Sequence, residues 1–437
     1  MSNLFHVNWK DDNYQPLSPY KFLTHQDRLI QFQQDYRCVI PVTAHVVPTL
    51  RCNQRCYFCT YGQYKENGNN GNLQMEFSHL ERYIHQLASV GVKGVIFTGG
   101  GEPTMYPDLS RAMLLAKQCG MDVALNSNGS RGDDELIEGI LKTNPKYIRI
   151  SLNNGSPITQ HLVTGRDNYD VVLKNIEKYC VAKSRVSPDT DISVGFVVNV
   201  VNYHEILSFV EDMLRIEERV RINTGVDQPI YSLQFRPVTN FEHSKHMANT
   251  DRINKLLTFM QNKYSEEDQK NLEEFLNKGA QTSPGVMRTA LEQLKGEVSA
   301  LIEKCKSRIK IIYPEQKFMD LIKSSKKPYS VCMSCPWYLF IWPDGNVYSC
   351  VEWAGNEEFA IGNLKHDELN SILSGEQRTL IYKKINEEII QNECVPICAH
   401  HEMNILLNQF VVNSTQKYKK NNSTTEREVS IRHENFL

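Results

Sequence analysis

The chain has 437 residues, with 49 Lys and Arg against 51 Asp and Glu for a formal net charge of −2, and 41% hydrophobic residues. That length supports about two domains with a sizeable core, and the near-neutral balance creates no global field to recruit nucleic acid or an anionic membrane. No apolar run is long enough to span a bilayer, and Met1 to Lys10 lacks the charged-then-apolar layout of a signal peptide, so a cytoplasmic protein with neither a membrane nor a nucleic-acid partner is expected.

Residues 1–43 are polar and irregular, with one short helix near His25 to Phe32, and read as an arm on the main domain. From Ala44, AHVVPTL is a short apolar strand running straight into RCNQRCYFC, Arg51 to Cys59, and then into the turn-rich stretch Glu66 to Asn72. Helical and strand patterns alternate after that. Phe77 to Val90 is helical, GVIFTGG a buried strand, Leu109 to Cys119 a helix, DVALNSNG a strand, Asp134 to Leu141 a helix and YIRISLN a strand. Tyr169 to Ala182, ISVGFVVN, His204 to Ile216 and YSLQFRPV continue the alternation to a sixth strand. Such alternation predicts a parallel sheet with right-handed crossovers, either doubly wound or a partial barrel. The barrel is preferred because sites on parallel barrels are built from the loops after the strands, and here those loops are polar or Gly-rich. Asp251 to about Lys310 reads as two amphipathic helices split at Ser283-Pro284-Gly285, with Ile253, Leu256, Leu257 and Met260 on one face and Leu291, Leu294, Val298 and Leu301 on another. Trp337 to Cys350 reads as a hairpin around Pro343-Asp344-Gly345, and from Asn413 the chain has the polarity of a surface or disordered tail.

Twelve cysteines in a chain without a signal segment argue for metal rather than a disulfide scaffold. Cys52, Cys56 and Cys59 fall within eight residues, a local spacing suited to an iron–sulfur cluster, and three ligands for four irons leave one iron open to chemistry. Zinc fits this loop poorly, since the next cysteine is Cys119. The isolated Cys38, Cys119, Cys180 and Cys305 read as packed small hydrophobes. GGGEPT, Gly99 to Thr104, follows a buried strand; its glycines allow close approach to a ligand, and Glu102 offers a carboxylate to a primary ammonium.

The loop and the glycine segment together resemble the radical S-adenosylmethionine (AdoMet) enzymes, whose CxxxCx(aromatic)C is filled by Cys52, Cys56, Phe58 and Cys59 and whose GGEP segment is filled by Gly100, Gly101, Glu102 and Pro103. The resemblance implies a partial (β/α)6 TIM-type barrel over about 44–240 and a [4Fe–4S] cluster on the three cysteines whose open iron chelates AdoMet. It also implies a reducing electron donor of flavodoxin or ferredoxin type and cleavage of AdoMet to a 5′-deoxyadenosyl radical. Phe58 is placed near the adenine, and Ser127, Ser151, Asn153 and Val198 near ribose or adenine. Where many relatives carry SLD, this chain has Ser151-Leu152-Asn153, which weakens a carboxylate role there.

Cys335, Cys350, Cys394 and Cys398, with the hairpin between the first two, resemble the SPASM extension or its shorter Twitch form. They imply a small Cys-rich α+β domain over 326–410, after a helical connector over 241–325 and before a polar tail over 411–437. Five cysteines follow residue 331, so one auxiliary [4Fe–4S] cluster is expected; Cys332 competes with Cys335 as its leading ligand, and zinc competes with iron. His400 and His401 read as surface histidines at a helix start. A small polar substrate of sugar, cyclitol or nucleoside type is expected, because 43 residues before the first strand leave no room for the winged-helix peptide-recognition domain of many peptide-modifying relatives. A peptide substrate is the alternative, and a non-catalytic electron carrier or zinc-stabilised binding protein is the alternative of another class. Arg236, Tyr231 and Cys119 are candidates for a catalytic proton or hydrogen atom.

Overall fold

The computed structural model describes residues 17–61, 71–238, 258, 283–323, 327–395, 397–417 and 432–437. Residues 66–70 of the expected turn-rich loop, and Ile253, Leu256, Leu257 and Met260 of the expected helix, lie outside them. Six parallel strands follow one another in sheet order: β1 (Thr43–Val46), β2 (Gly94–Phe97), β3 (Asp122–Ser127), β4 (Tyr147–Ser151), β5 (Asp191–Val198) and β6 (Ser232–Pro237). Parallel neighbours need crossovers, and these are α1 (Phe77–Ser89), α2 (Leu109–Gln118), α3 (Asp134–Leu141), α4 (Pro157–Thr164) with α5 (Tyr169–Val186), and α6 (Ile206–Thr224). Their apolar stripes, such as Leu80, Ile84 and Leu87 on α1, are buried against the outer face of the sheet.

The sheet does not stop at six strands. Within the expected helical connector, β7 (Lys310–Ile312) pairs parallel to β6, and from the C-terminal region β8 (Tyr338–Ile341) pairs parallel to β1. The expected hairpin is present: β8 turns into antiparallel β9 (Asn346–Tyr348), and β10 (Gly362–Asn363) closes a continuous ten-stranded sheet. A three-residue strand such as β7 carries too few alternations to be read from sequence. Ser283 accepts from Val286 N at the start of the helix Pro284–Gln293, so the SPG signal marks a helix start, and Leu291, Leu294 and Val298 are buried as expected. Helix α4 is also absent from the sequence reading. Its marks are a Ser156 N-cap, Pro157 in the first turn and Gly165 left-handed at its end.

The described part of the N-terminal arm, residues 17–43, packs on the main domain, with helix Gln26–Gln34 placing Phe32 against Trp337 at 6.0 Å. The polar tail is corrected at both ends. Helix α7 (His401–Lys417) runs past Asn413, and residues 432–437 are docked against the N-terminal ends of the strands. Lys21 Nζ donates to Phe436 O (2.7 Å), Thr43 Oγ1 to Asn435 O (2.9 Å) and Asn435 Nδ2 to Asp122 (2.8 Å). Arg432 binds both oxygens of Asp191 at 2.5 and 2.6 Å, with His433 at 2.8 Å from the same carboxylate. Phe436 stands edge-on to Tyr147 at 5.2 Å.

Strand register sorts the inward side chains into layers, because side chains alternate faces. His45, Ile96, Ala124 and Tyr147 share one level, Asn126, Arg149, Ser193 and Ser232 the next, and Ser151, Gly195 and Gln234 the one above. This inner face is polar and encloses a cavity of about 550 Å³ lined from all six strands. His45, stacked on Phe340 at 4.4 Å, is held down at about 3 by burial and by the Arg149 charge. A folded value below the ordinary 6.5 means that the unfolded chain takes the proton first. Its contribution is therefore complete above pH 6.5 and is lost progressively as the pH falls towards 3. His45→Phe is expected to flatten the acid slope of stability, gaining about 2 kcal/mol at pH 5 relative to pH 7. Urea midpoints at the two pH values check this, and equal slopes for both proteins would refute it.

Candidate functional site

Arg51 to Cys59 leaves β1 without regular structure, and five neighbours fix it. The end of α4 accepts from it, Arg55 N donating to Thr164 O (2.8 Å) and Tyr57 N to Val163 O (3.1 Å). Arg166 Nε reaches Asn53 O at 2.6 Å, Asn128 Nδ2 bonds Asn53 Oδ1 at 2.9 Å, and Tyr57 OH bonds Asn199 at 2.5 Å. The helix absent from the sequence reading is thus one of the two main supports of the cysteine loop. The other is the glycine segment: Gly101 N donates to Thr49 O (3.1 Å) and Glu102 N to Arg51 O (2.8 Å). A Cβ on Gly101 would stand 2.4 Å from Arg51 O, and one on Gly100 2.8 Å from the Trp342 ring. These glycines are needed first for the approach of neighbouring chain.

Glu102, 3% exposed, receives Thr104 N (3.1 Å), Thr104 Oγ1 (2.7 Å) and Ser127 Oγ (2.7 Å) on Oε1, and Asn128 N (2.7 Å) on Oε2. A carboxylate has about four lone-pair sites, so Oε1 is spent on tying the glycine loop to the tip of β3, and the remaining capacity lies on Oε2. Cys52, Cys56, Cys59, Phe58, Gly100, Gly101, Glu102, Ser127, Ser151 and Asn153 all line the one cavity. Val198 does not; it is fully buried, and Val197 takes its place on the lining. Asn153 Oδ1 accepts from Val197 N at 2.8 Å, a bond between strand tips. Of the three candidates for a catalytic proton or hydrogen atom, Arg236 lines the cavity. Tyr231 sits beside Arg432 and His433 at the opposite end of the strands, and Cys119 lies on the outer side near His85 at 3.5 Å.

In the C-terminal region Cys332 Sγ and Cys335 Sγ are 3.3 Å apart, and Asn404 Nδ2 donates to Cys332 Sγ at 3.4 Å. Cys335 also meets Cys350, and the charges of Cys332, Cys350 and Cys394 all act on the buried Cys398. The hydrogen bond from Cys335 brings Cys332 down to about 6, the same contact raises Cys335, and burial raises Cys394 and Cys398; a bound cationic metal centre would reverse the penalty on the raised thiols. His400 and His401 are not surface residues: His400 lies 3.8 Å from the Tyr338 ring, and His401 bonds Tyr329 OH and Asp320, each at 3.1 Å. The start of α7 packs under the domain, which buries both. Of the isolated cysteines Cys180 is buried as expected, whereas Cys38 and Cys305 are exposed.

Residues 46–213 match the model of the radical SAM superfamily. Residues 46–213 thus form a radical SAM domain. A second match, to an iron–sulfur cluster-binding domain (SPASM), covers 332–400, the span that holds the five C-terminal cysteines, and favours an iron–sulfur centre there over zinc. Like other radical SAM domains, this one binds a [4Fe–4S] cluster and AdoMet. A probable GTP 3′,8-cyclase of Thermococcus kodakarensis is 30% identical over 139 residues, 32% of this chain and 44% of that one. An Fe-coproporphyrin III synthase of Methanosarcina barkeri is 28% identical over 196 residues, 44% of this chain and 45% of that one. The radical SAM chain thus matches less than half the length of each of these relatives. Streptococcus suis SuiB bound to S-adenosylmethionine has the same fold, with a TM-score of 0.55 at 14% identity over 86% of this chain and 75% of that one. No helix among the described residues is long and apolar enough to cross a membrane.

Proposed function

We propose that this protein is a cytoplasmic radical SAM enzyme that abstracts a hydrogen from a small polar metabolite of sugar, cyclitol or nucleoside type, and oxidises or epimerises it with help from an auxiliary iron–sulfur cluster. The observation that carries this reading is that both cysteine sets border one cavity. Cys52, Cys56 and Cys59 stand on one wall and Cys398 on another, with a polar strand interior between them. When bound, the cluster and AdoMet supply the reductive cleavage that yields a 5′-deoxyadenosyl radical, with the electron coming from a flavodoxin- or ferredoxin-type donor.

The chain's own part is to hold, orient and exclude water. Cys52, Cys56 and Cys59 would ligate the first cluster, Phe58 would face the adenine, and Ser127, Ser151 and Asn153 would meet the sugar of AdoMet. Glu102 holds the glycine loop against β3. Cys350, Cys394, Cys398 and Cys335 would hold the second cluster, near enough to the cavity to exchange an electron with a substrate radical. The test is anaerobic reconstitution followed by a panel of sugars, cyclitols, nucleosides and peptides, with 5′-deoxyadenosine and substrate mass as readouts. Substrate-dependent 5′-deoxyadenosine in the first three classes is expected. Formation with peptides alone would replace the small metabolite by a peptide, and no AdoMet cleavage under any condition would leave a carrier or binding protein.

A further inference from the structure

Among the described residues, the polar interior of the barrel carries a charge imbalance that no neighbouring group resolves. Arg149 on β4 and Arg236 on β6 both project into the cavity. Neither guanidinium makes a hydrogen bond or ion pair to a described residue, and the Nε of each is buried without a partner. They converge on Gly195 of β5, which lies between them. A Cβ built there would stand 3.5 Å from Arg149 Cδ and 3.5 Å from Arg236 Nη2, so Arg236 leans back over a residue one layer below its own. Lys21 lies on the same side, brought down to about 7 by burial and the Arg149 charge, and the neighbouring His45 is neutral.

The carboxylates that could neutralise this group are committed or placed elsewhere. Glu102 is taken up by Thr104, Ser127 and Asn128, and Asp191 by Arg432 and His433. Glu352 and Glu402 line the wall formed by the C-terminal domain. Both arginines remain cationic at neutral pH: burial and the Arg149 charge bring Arg236 down only to about 9. Two like charges half-withdrawn from water, each with a buried, unpartnered Nε, are costly. Such an arrangement is stable in a working enzyme when a ligand supplies the missing anion.

We propose that Arg149 and Arg236, set either side of Gly195, form an oxyanion site that binds a phosphate or carboxylate group of the substrate. The inference rests on the reading of this cavity as the substrate site of a radical SAM enzyme, and it narrows the substrate to an anionic small metabolite. Planar guanidinium forks suit either oxyanion, and two of them on neighbouring-but-one strands can hold it from both sides. AdoMet's own carboxylate is a poorer fit. Arg149 lies two residues below Ser151 on the same strand face, about 7 Å deeper than the strand tips where AdoMet is expected.

The test uses the reconstituted holoenzyme with AdoMet present and titrates inorganic phosphate and, separately, succinate by calorimetry. Wild type is expected to bind at least one anion saturably, and the tighter of the two identifies the group. Arg149→Gln and Arg236→Gln should each weaken it at least tenfold while AdoMet affinity, measured separately, stays within twofold. Without ligand both variants should melt a few degrees higher than wild type, because one of two half-buried like charges has been removed; arginines with a purely structural role would give lower melting points. If either variant folds poorly, Gly195→Val keeps both arginines, fills the gap between them and should cut anion affinity by a similar factor. Absence of saturable anion binding in wild type, equal binding in the variants, or a parallel loss of AdoMet affinity would overturn the proposal. Formation of 5′-deoxyadenosine by the wild type tests the radical SAM reading independently, so the two can fail separately.

Discussion

Cys52, Cys56 and Cys59 replaced together by Ala are expected to abolish AdoMet cleavage, by at least about a thousandfold, and to remove one of two clusters. Iron should fall from about eight to about four per chain. The loop has few contacts that depend on the thiols: its backbone is held by Thr164, Val163 and Arg166, and the flanking glycine segment by Thr49 and Arg51. The fold should therefore survive, which makes the loss of activity interpretable. The measurement is iron and sulfide content beside 5′-deoxyadenosine after reduction. Full iron with unchanged cleavage would disprove the assignment of the loop. A wild-type value of about four irons would instead mean that the C-terminal thiols do not carry a four-iron centre of their own.

Glu102→Leu is expected to have the next largest effect. The side chain is buried at 3% exposure and accepts four hydrogen bonds from the glycine loop and the tip of β3. An apolar replacement leaves four donors unmatched, and at about 1 kcal/mol or more for each the loss is roughly 4 kcal/mol. Loss of the bond to Ser127 and Asn128 also frees the two sides of the AdoMet site from one another, so AdoMet affinity should fall at least tenfold. Thermal unfolding and AdoMet titration of the same sample check both parts. Unchanged stability would show that water replaces the carboxylate, and unchanged AdoMet affinity that the loop is held by Thr49 and Arg51 alone.

What could be read in the sequence was local. Three cysteines within eight residues, a glycine run after a strand, and helices with apolar residues three and four apart each carry their meaning in a short window. Arg149 and Arg236 were visible as alternating positions in YIRIS and LQFRP, but alternation cannot say which face of a strand looks into a cavity. Helix α4 escaped because its eight residues hold little apolar period, although Ser156, Pro157 and Gly165 mark both its ends. The burial of His400 and His401 depends on Tyr338, Tyr329 and Asp320, which lie sixty or more residues away. No pattern in residues 432–437 announces that Phe436 meets Tyr147 or that Arg432 meets Asp191. Those contacts are properties of topology, and composition points the other way.

The position of residues 432–437 also sets an order of events during synthesis. Asn435 and Phe436 bond to Thr43 and Lys21 across 392 and 415 residues of chain, and β8 joins β1 only once residue 341 has been made. Domains emerge from the ribosome N-terminal end first and pair what is available, so β1 and its cysteine loop must wait, with one edge uncovered, until residues 338–341 and 432–437 have been made. Long-range closure of this kind is slow. Until those last strand-end contacts form, the N-terminal ends of β1, β3, β4 and β5 lack the cover that Arg432, Asn435 and Phe436 give them.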